Sequence, residues 1–502
     1  MTQRQGSATW PERARELRPR TRAFIDGEYV DAASGKTFEK HTPRDGGHLA
    51  HVTECEAEDV DRAVAAARRA FRDGRWSKRP PAEKKRVMLR FADLIEANLE
   101  ELALLESLDV GKPISDSLSV DVPSCASCLR WYAETIDKRY GEVAPTAPEY
   151  LATITREPMG VVGAVVPWNY PLILTAWKTA PALATGNSVV LKPAEQSPLS
   201  AIFLAELASE AGIPDGVFNV VPGFGPSAGA ALGRHGDVDK VTFTGSSEVG
   251  KLFLSYAGES NMKHVSLECG GKSPHVVFPD APDLDEAAAS IAGGIFYNAG
   301  QTCHAGSRLI VHRGIRDELL EKIAVHARKM RPGDPLDPDT TLGSLVDEAQ
   351  MRRVLGYVDL AREEGAEVAV GGERRLSETG GFYVEPTVFS GVKQDMRVAR
   401  EEIFGPVLSV LDFCEEEEAI HLANATAYGL AGAIWTSDVG RAHRVSGALR
   451  AGTVWVNCFD ASDVTVPFGG FKESGTGRDK SLYALAQYEQ LKTTWLKIGD
   501  RR

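Results

Sequence analysis

An α/β fold built on a doubly wound parallel sheet is predicted by five short β-rich runs from residue 161 onward, separated by stretches of helical length. The runs are 161–166 (VVGAVV), 188–191 (SVVL), 217–221 (VFNVV), 238–243 (VDKVTF) and 263–267 (KHVSL). Amphipathic stretches such as 198–211 and 247–257 lie between them. Length is a further observation: 502 residues exceed what one hydrophobic core accommodates, so two or three domains are expected. Such a sheet receives ligands at the carboxyl ends of its strands.

Ahead of the runs, residues 1–22 are polar and arginine-rich and read as an unpacked tail. Glu12 and Glu16 argue against an organelle transit segment, and no apolar stretch there suits a signal peptide. Residues 58–71 place Val60, Ala63, Val64, Ala67 and Phe71 on one helical face, and Gly74 stops that helix. A longer helical stretch follows, with Phe91, Leu94, Ile95, Leu102 and Leu105 as its stripe. After the five runs, a second alternating region spans about 268–476, with apolar strands at 308–312 and 453–457. The acidic run 415–418 is read as a solvated helix start. Residues 492–498 (KTTWLKI) read as a strand whose partner is a remote hairpin or another subunit.

Composition narrows the partners. The chain is 43% hydrophobic and 25% charged, ordinary for a soluble protein, and its net charge of −13 argues against nucleic acid or an anionic membrane as main partner. No run reaches the roughly eighteen apolar residues of a membrane span. Seven scattered cysteines do not form a disulfide framework, so a reducing cytoplasm is expected. Cys125 and Cys128 form a C-x-x-C with no matching second ligand pair, which favours two buried helix-face thiols over zinc or redox chemistry.

Two segments suit a dinucleotide. The usual G-x-G-x-x-G is absent, but Gly245–Gly250 (GSSEVG) follows the strand VTFT and opens a helix, offering free backbone N–H groups and a positive helix end. By itself that turn is a weak signal. Lys192-Pro193-Ala194-Glu195 follows SVVL, where Glu195 can accept both hydroxyls of a ribose and repel a 2′-phosphate while Lys192 donates to the same sugar. A surface ion pair is the bland rival.

Three residues suit covalent chemistry on a carbonyl. Cys303 lies in FYNAGQTC (296–303), among glycine and amide residues rather than the aliphatic shell of a structural thiol. Glu268 in LECGGKS (267–273) stands beside paired glycines that would let a part-time base swing. Asn169 in PWNYP (167–171) is a rigidly flanked amide suited to an oxyanion. Taken singly, each has a structural rival: a core thiol, a surface carboxylate, a turn amide.

Together the motifs PWNYP, KPAE (192–195), FTGS (243–246), LECGGKSP (267–274), FYNAGQTC, EEIFGPV (401–407) and PFGGFKESGTGR (467–478) resemble the NAD(P)-dependent aldehyde dehydrogenase superfamily over about residues 20–500. LDVGKPI (108–114), DVTVPFGG (463–470) and GRDKSL (477–482) bring the likeness nearest to bacterial γ-glutamyl-γ-aminobutyraldehyde dehydrogenases. The resemblance implies a Rossmann-like NAD-binding domain (23–138 and 157–268), an α/β catalytic domain (269–478) and a small β oligomerisation element (139–156 and 485–502). It implies Cys303 as nucleophile, Glu268 as general base, and Asn169 with the Cys303 N–H as oxyanion donors. Lys178 matches a lysine of a proton path, with the shorter Asp479 where the family has a glutamate. Lys192 and Glu195 would hold the adenosine ribose, Ser246 a phosphate and Glu402 the nicotinamide ribose, with Phe404 near the ring. Val166, Pro167, Trp168, Gly225, Phe243, Gly245 and Val249 complete the NAD site.

The implied substrate tunnel is walled by Asp121, Ser124, Tyr170, Trp177, Phe296, His304, Ser462, Asp463 and Phe468. Its small serines, with negative charge from Asp121, Asp460 and Asp463, point to a polar or amino-aldehyde. Asp109 and Gln196, with backbone carbonyls near Lys40 and His41, match a structural monovalent-cation site. A homodimer or homotetramer is implied. The rivals are a broad aliphatic and aromatic aldehyde dehydrogenase, a CoA-acylating relative, a cysteine hydrolase pairing Cys303 with His304, and an idle structural protein of the same fold. Glu268 argues against the CoA-acylating type, and side chains adjacent on a turn rarely aim at each other, which argues against the hydrolase.

Overall fold

The computed structural model describes residues 8–499. All five β-rich runs are strands of one sheet, ordered His264–Cys269, Lys240–Gly245, Val161–Val165, Ser188–Lys192, Phe218–Val220, and all five run parallel. The chain winds outward from Val161–Val165 to Phe218–Val220, then returns to lay Lys240–Gly245 on the other side of its starting strand. That reversal opens a crevice at the carboxyl ends of the two central strands. The hairpin Ala23–Ile25 and Glu28–Val30 adds an antiparallel edge. The central strands are buried on both faces, which explains their continuous apolar runs.

A second seven-stranded sheet runs Glu367–Val370, Thr387–Ser390, Val407–Phe413, Arg308–His312, Pro274–Val277, Ala431–Trp435, Thr453–Val456. Only its edge strand Glu367–Val370 is antiparallel. The terminal strand Glu489–Lys497 pairs antiparallel with Tyr150–Pro158, which pairs with Glu142–Ala144, so its partner is the remote hairpin.

Several local expectations change. Within the 1–22 tail, Trp10–Glu16 is a helix that sets Trp10, Ala14 and Leu17 against buried Leu104, Leu108 and Leu336. That segment is therefore packed, because its few apolar residues share one face; residues 1–7 lie outside the described chain. The long helical stretch is two helices, Pro81–Ala97 and Leu99–Val110. They break at Asn98 (φ −106°, ψ 23°), whose amide caps the first by donating to the Leu94 carbonyl at 2.8 Å. Cys125 and Cys128 are buried on Val122–Thr135, and among the described residues no three His, Cys, Asp or Glu side chains are grouped to hold a metal. Glu416 at the acidic helix start is paired with Arg441 and Arg444 rather than merely solvated. Among the described residues no helix is long and apolar enough to cross a membrane.

Candidate active site

The loop that carries Cys303 begins where helix Leu284–Phe296 stops. Asn298 (φ 50°), Ala299 (φ 53°) and Gly300 (φ 72°) are left-handed in succession, a costly conformation for the first two. Surrounding bonds hold it. Asn298 Nδ2 donates to the carbonyls of Asn169 (3.1 Å) and Gln301 (3.2 Å), and Gln301 Oε1 accepts from the Val346 N–H (3.0 Å). At Gly300 a Cβ would sit 2.1 Å from the Gly405 carbonyl oxygen, so no larger residue fits. Asn169, in the loop after Val161–Val165, donates one amide hydrogen to the Gln301 carbonyl at 2.9 Å. Its amide carries a second hydrogen for an oxyanion. Burial pushes the Cys303 thiol well above its ordinary range, and the charges of Glu268 and Glu402 add to that; the His304 backbone N–H works the other way.

Glu268 arrives from the end of His264–Cys269 and is 2% exposed, with no hydrogen-bond partner on either oxygen. Burial, then Asp479, push its carboxyl well above the usual range, against Lys178 and Arg478. A carboxyl so placed holds its proton more tightly than one in water, as suits a group that exchanges it with a reactant. Lys178 Nζ donates to Asp479 Oδ2 at 2.5 Å, so the shorter carboxylate reaches its lysine after all. The paired glycines stand where their neighbours leave no room for a side chain. A Cβ on Gly270 would lie 2.1 Å from Glu402 Oε2, and one on Gly271 2.6 Å from the Cys303 carbonyl oxygen. Neither has a positive φ; they admit close neighbours.

On the crevice side, buried Lys192 donates to Glu195 at 3.1 Å, leaving further ammonium hydrogens for a ligand. Ser246 caps helix Ser247–Glu259 by accepting from the Val249 N–H at 3.3 Å. Gly225 has open space where a Cβ would stand, while Val166 and Phe243 are buried beneath. Glu402 Oε1 accepts from the Gly271 N–H at 2.9 Å, and burial raises its carboxyl to about 7. Phe404 (φ 60°) stands edge-on to Trp168 at 5.2 Å, next to Pro167. Gln350, which carried no signal in the sequence, fixes that loop by donating to the Ile403 and Phe404 carbonyls at 3.2 and 2.7 Å. A hydroxyl-accepting carboxylate, a buried cation and a helix start along one crevice fit an extended dinucleotide.

A profile of the aldehyde dehydrogenase family matches residues 29–494. The chain is 54% identical to an aminoacetaldehyde dehydrogenase of Pseudomonas aeruginosa, over 95% of each protein. It superposes on a γ-glutamyl-γ-aminobutyraldehyde dehydrogenase of Burkholderia cenocepacia with a TM-score of 0.96 at 56% identity, covering 98% of this chain and 99% of that one. An indole-3-acetaldehyde dehydrogenase in complex with NAD+ gives a TM-score of 0.96 at 57% identity, covering 97% and 99%. The chain belongs to the aldehyde dehydrogenase family. It is an NAD(P)-dependent oxidoreductase of aldehydes.

In this aldehyde dehydrogenase two of the residues expected to wall a substrate tunnel, Phe296 and Asp121, are buried elsewhere. Phe296 closes its helix pointing inward, fully buried with Ile291, Ile295 and Leu309. The next residue, Tyr297, is only partly buried, and burial, followed by the charges of Asp116, Asp121 and Asp460, raises its phenol. Asp121 is fully buried and bonded to Lys112 at 2.5 Å, so its charge is turned inward into an ion pair that buried Glu106 shares at 3.8 Å. Lys112 also lies 4.0 Å from the Tyr170 ring centroid, and Tyr170 Oη bonds Thr302 Oγ1 at 2.8 Å. Trp177 packs on Phe468 at 5.4 Å, and His304 on the same ring at 5.5 Å. Ser124 is half-buried, whereas Ser462 and Asp463 are exposed. Lys480, unplaced by the sequence, donates to Ser462 Oγ at 2.7 Å.

Two more expectations are corrected. The cation position is taken by the chain itself: buried Lys40 Nζ donates to the His41 and Asp109 carbonyls at 2.5 and 3.0 Å and lies 3.7 Å from Asp109 Oδ1. The Asp109 carboxylate also accepts from the Leu199 N–H at 2.9 Å, and Gln196 turns to Asp347 at 3.4 Å. With an ammonium already on those carbonyls, the residues do not fit a second cation. The other correction concerns His304. Its Nδ1 lies 3.8 Å from Cys303 Sγ, because Asp460 holds the ring from its far side at 2.9 Å from Nε2.

Proposed function

We propose that this enzyme oxidises polar, amine- or amide-bearing aldehydes to carboxylic acids with NAD, through a thiohemiacetal and a thioester on Cys303. The observation that carries it is the convergence of Cys303, Asn169 and Glu268 where the strand ends of the two sheets meet. Cys303 sulfur attacks the aldehyde carbon, and the resulting oxyanion is met by the free hydrogen of Asn169 Nδ2 and by the Cys303 N–H. Bound NAD supplies the two-electron acceptor that turns this adduct into a thioester. Glu268 then takes a proton from water, and the hydroxide so formed releases the acid. Lys192 and Glu195 would hold the adenosine ribose, Ser246 a phosphate, Glu402 the second ribose with Phe404 beside it. The Glu195 carboxylate disfavours a 2′-phosphate, so NAD is preferred to NADP.

With Asp121 turned inward to Lys112, tunnel charge rests on Asp460 and Asp463 against Lys480, one negative charge in excess. Efficiency should therefore be highest for 4-aminobutyraldehyde, by up to about fivefold over butyraldehyde, since partly solvated pairs contribute about 1 kcal/mol or less. The γ-glutamyl derivative, without net positive charge, gains little from that charge. The measurement is kcat/KM for the three aldehydes at low and high salt, with NAD and with NADP. The margin for the amine should shrink at high salt and in Asp463→Asn. The wall of Trp177, Trp455, Phe459 and Phe468 favours a second reading, broad aliphatic and aromatic specificity. Butyraldehyde leading at both salts would select it.

We further infer that residues 139–156 and 485–499 are an oligomerisation element. On its three-stranded sheet, Leu491 and Trp495 on one face of the last strand are 65 and 62% exposed and Leu496 on the other is 56% exposed, apolar surface suited to a second subunit. Sedimentation equilibrium should find a dimer or tetramer that Trp495→Lys dissociates; a monomeric wild type would overturn it.

A further inference from the structure

We propose that His304, oriented by Asp460, is the group that takes the proton of Cys303, so that the resting nucleophile is a thiolate beside an imidazolium. The inference rests on Cys303 being the nucleophile and adds the base that generates it.

The geometry is that of a three-membered relay. Cys303 Sγ lies 3.8 Å from His304 Nδ1, and His304 Nε2 lies 2.9 Å from Asp460 Oδ1. Burial raises the Asp460 carboxyl, but its bond to His304 and the charges of His304 and Lys480 outweigh this and hold it below its ordinary value. It is therefore an anion that can only accept. Nε2 must carry hydrogen, which leaves Nδ1 of the neutral ring with a lone pair facing sulfur. The imidazole is fixed, since its ring lies 5.5–6.1 Å from those of Phe468, Trp455 and Phe459.

Cys303 needs such a partner. The groups facing it are carboxyls, Glu268 from the first sheet and Glu402 and Asp460 from loops of the second, and each disfavours a thiolate. Lys480, whose charge reaches Asp460, is turned to Ser462. The buried phenols Tyr170 and Tyr297 add no positive charge. In the transfer the S–H bond breaks, the electron pair stays on sulfur, and the proton forms a bond to Nδ1. The cation so made is shared by the thiolate on one side and Asp460 on the other. The thiolate is also the leaving group when the thioester is hydrolysed, so it returns to the same imidazolium and the proton is not consumed. Glu268 is left free for water.

The test is the pH dependence of Cys303 alkylation by iodoacetamide in the apoenzyme, with the modified residue located by mass spectrometry and dehydrogenase activity followed in parallel. Wild type should keep a reactive plateau through neutral pH. In His304→Gln the rate at pH 6.5, relative to its own rate at pH 9, should fall at least about tenfold, because only the thiolate reacts. Asp460→Asn should shift the inflection in the same direction by less. Profiles of both variants superimposing on wild type would overturn the pair. If His304→Gln does not fold, as judged by its melting curve, Asp460→Asn carries the comparison alone, and an unshifted profile overturns the proposal. Alkylation of Cys303 that leaves activity intact would instead remove Cys303 as nucleophile, a different failure with a different readout.

Discussion

Cys303→Ala is expected to abolish NADH formation, with steady-state activity falling by at least about a thousandfold. No other group stands in for the sulfur. Cys269, the nearest cysteine along the base strand, packs its sulfur against Gly250 and Leu267, and burial raises its thiol to about 12, with Glu268 contributing. Cys269→Ala should therefore leave turnover within about twofold of wild type, which makes it the control for loss of a thiol near the base. Cofactor binding should survive in Cys303→Ala, because Lys192, Glu195 and Ser246 hang from strands of the first sheet whereas Cys303 lies on a loop of the second. Fluorescence titration with NAD checks that, and the assay of NADH checks the chemistry. Residual activity above a hundredth of wild type would remove Cys303 from the role.

What the sequence disclosed follows from how local each signal is. The central parallel strands are buried on both faces and so read as short continuous runs; the strand ends carry Lys192, Gly245 and Glu268, and the loop after Val161–Val165 carries Asn169, at the crevice. The break at Asn98 was hidden because the apolar stripe continues across it. Phe296 and Tyr297 illustrate a one-residue limit: motif position names the segment, but only the end of the helix decides which ring turns outward. Pairings between remote residues were beyond reach. Nothing local says that Asp121 is paired with Lys112, that Lys40 serves as a built-in cation for Asp109, or that Asp460, 156 positions away, steers His304 onto Cys303.

Glu268→Gln is expected to separate the two halves of the reaction. Hydride transfer precedes water activation, so the variant should release NADH in a burst approaching one equivalent per subunit and then stall as the acyl-enzyme. Steady turnover should fall by roughly a hundredfold to ten-thousandfold, the usual contribution of a general base. The substitution is gentle, since Gln fills the same volume and neither Glu268 oxygen has a hydrogen-bond partner to lose. The pH dependence follows from the direction of the shift. Burial and Asp479 raise the Glu268 carboxyl, so its basic form is populated only as pH climbs through that raised value. Deacylation in wild type should accordingly rise with pH while the burst rate does not follow the same inflection, and the Glu268 inflection should vanish in the variant. Rapid-mixing measurements of NADH across pH resolve both phases. Full steady turnover of the variant at neutral pH would exclude Glu268 as the base. A missing burst would mean that Glu268 also deprotonates Cys303, a task that the 3.8 Å approach of His304 to the sulfur assigns elsewhere.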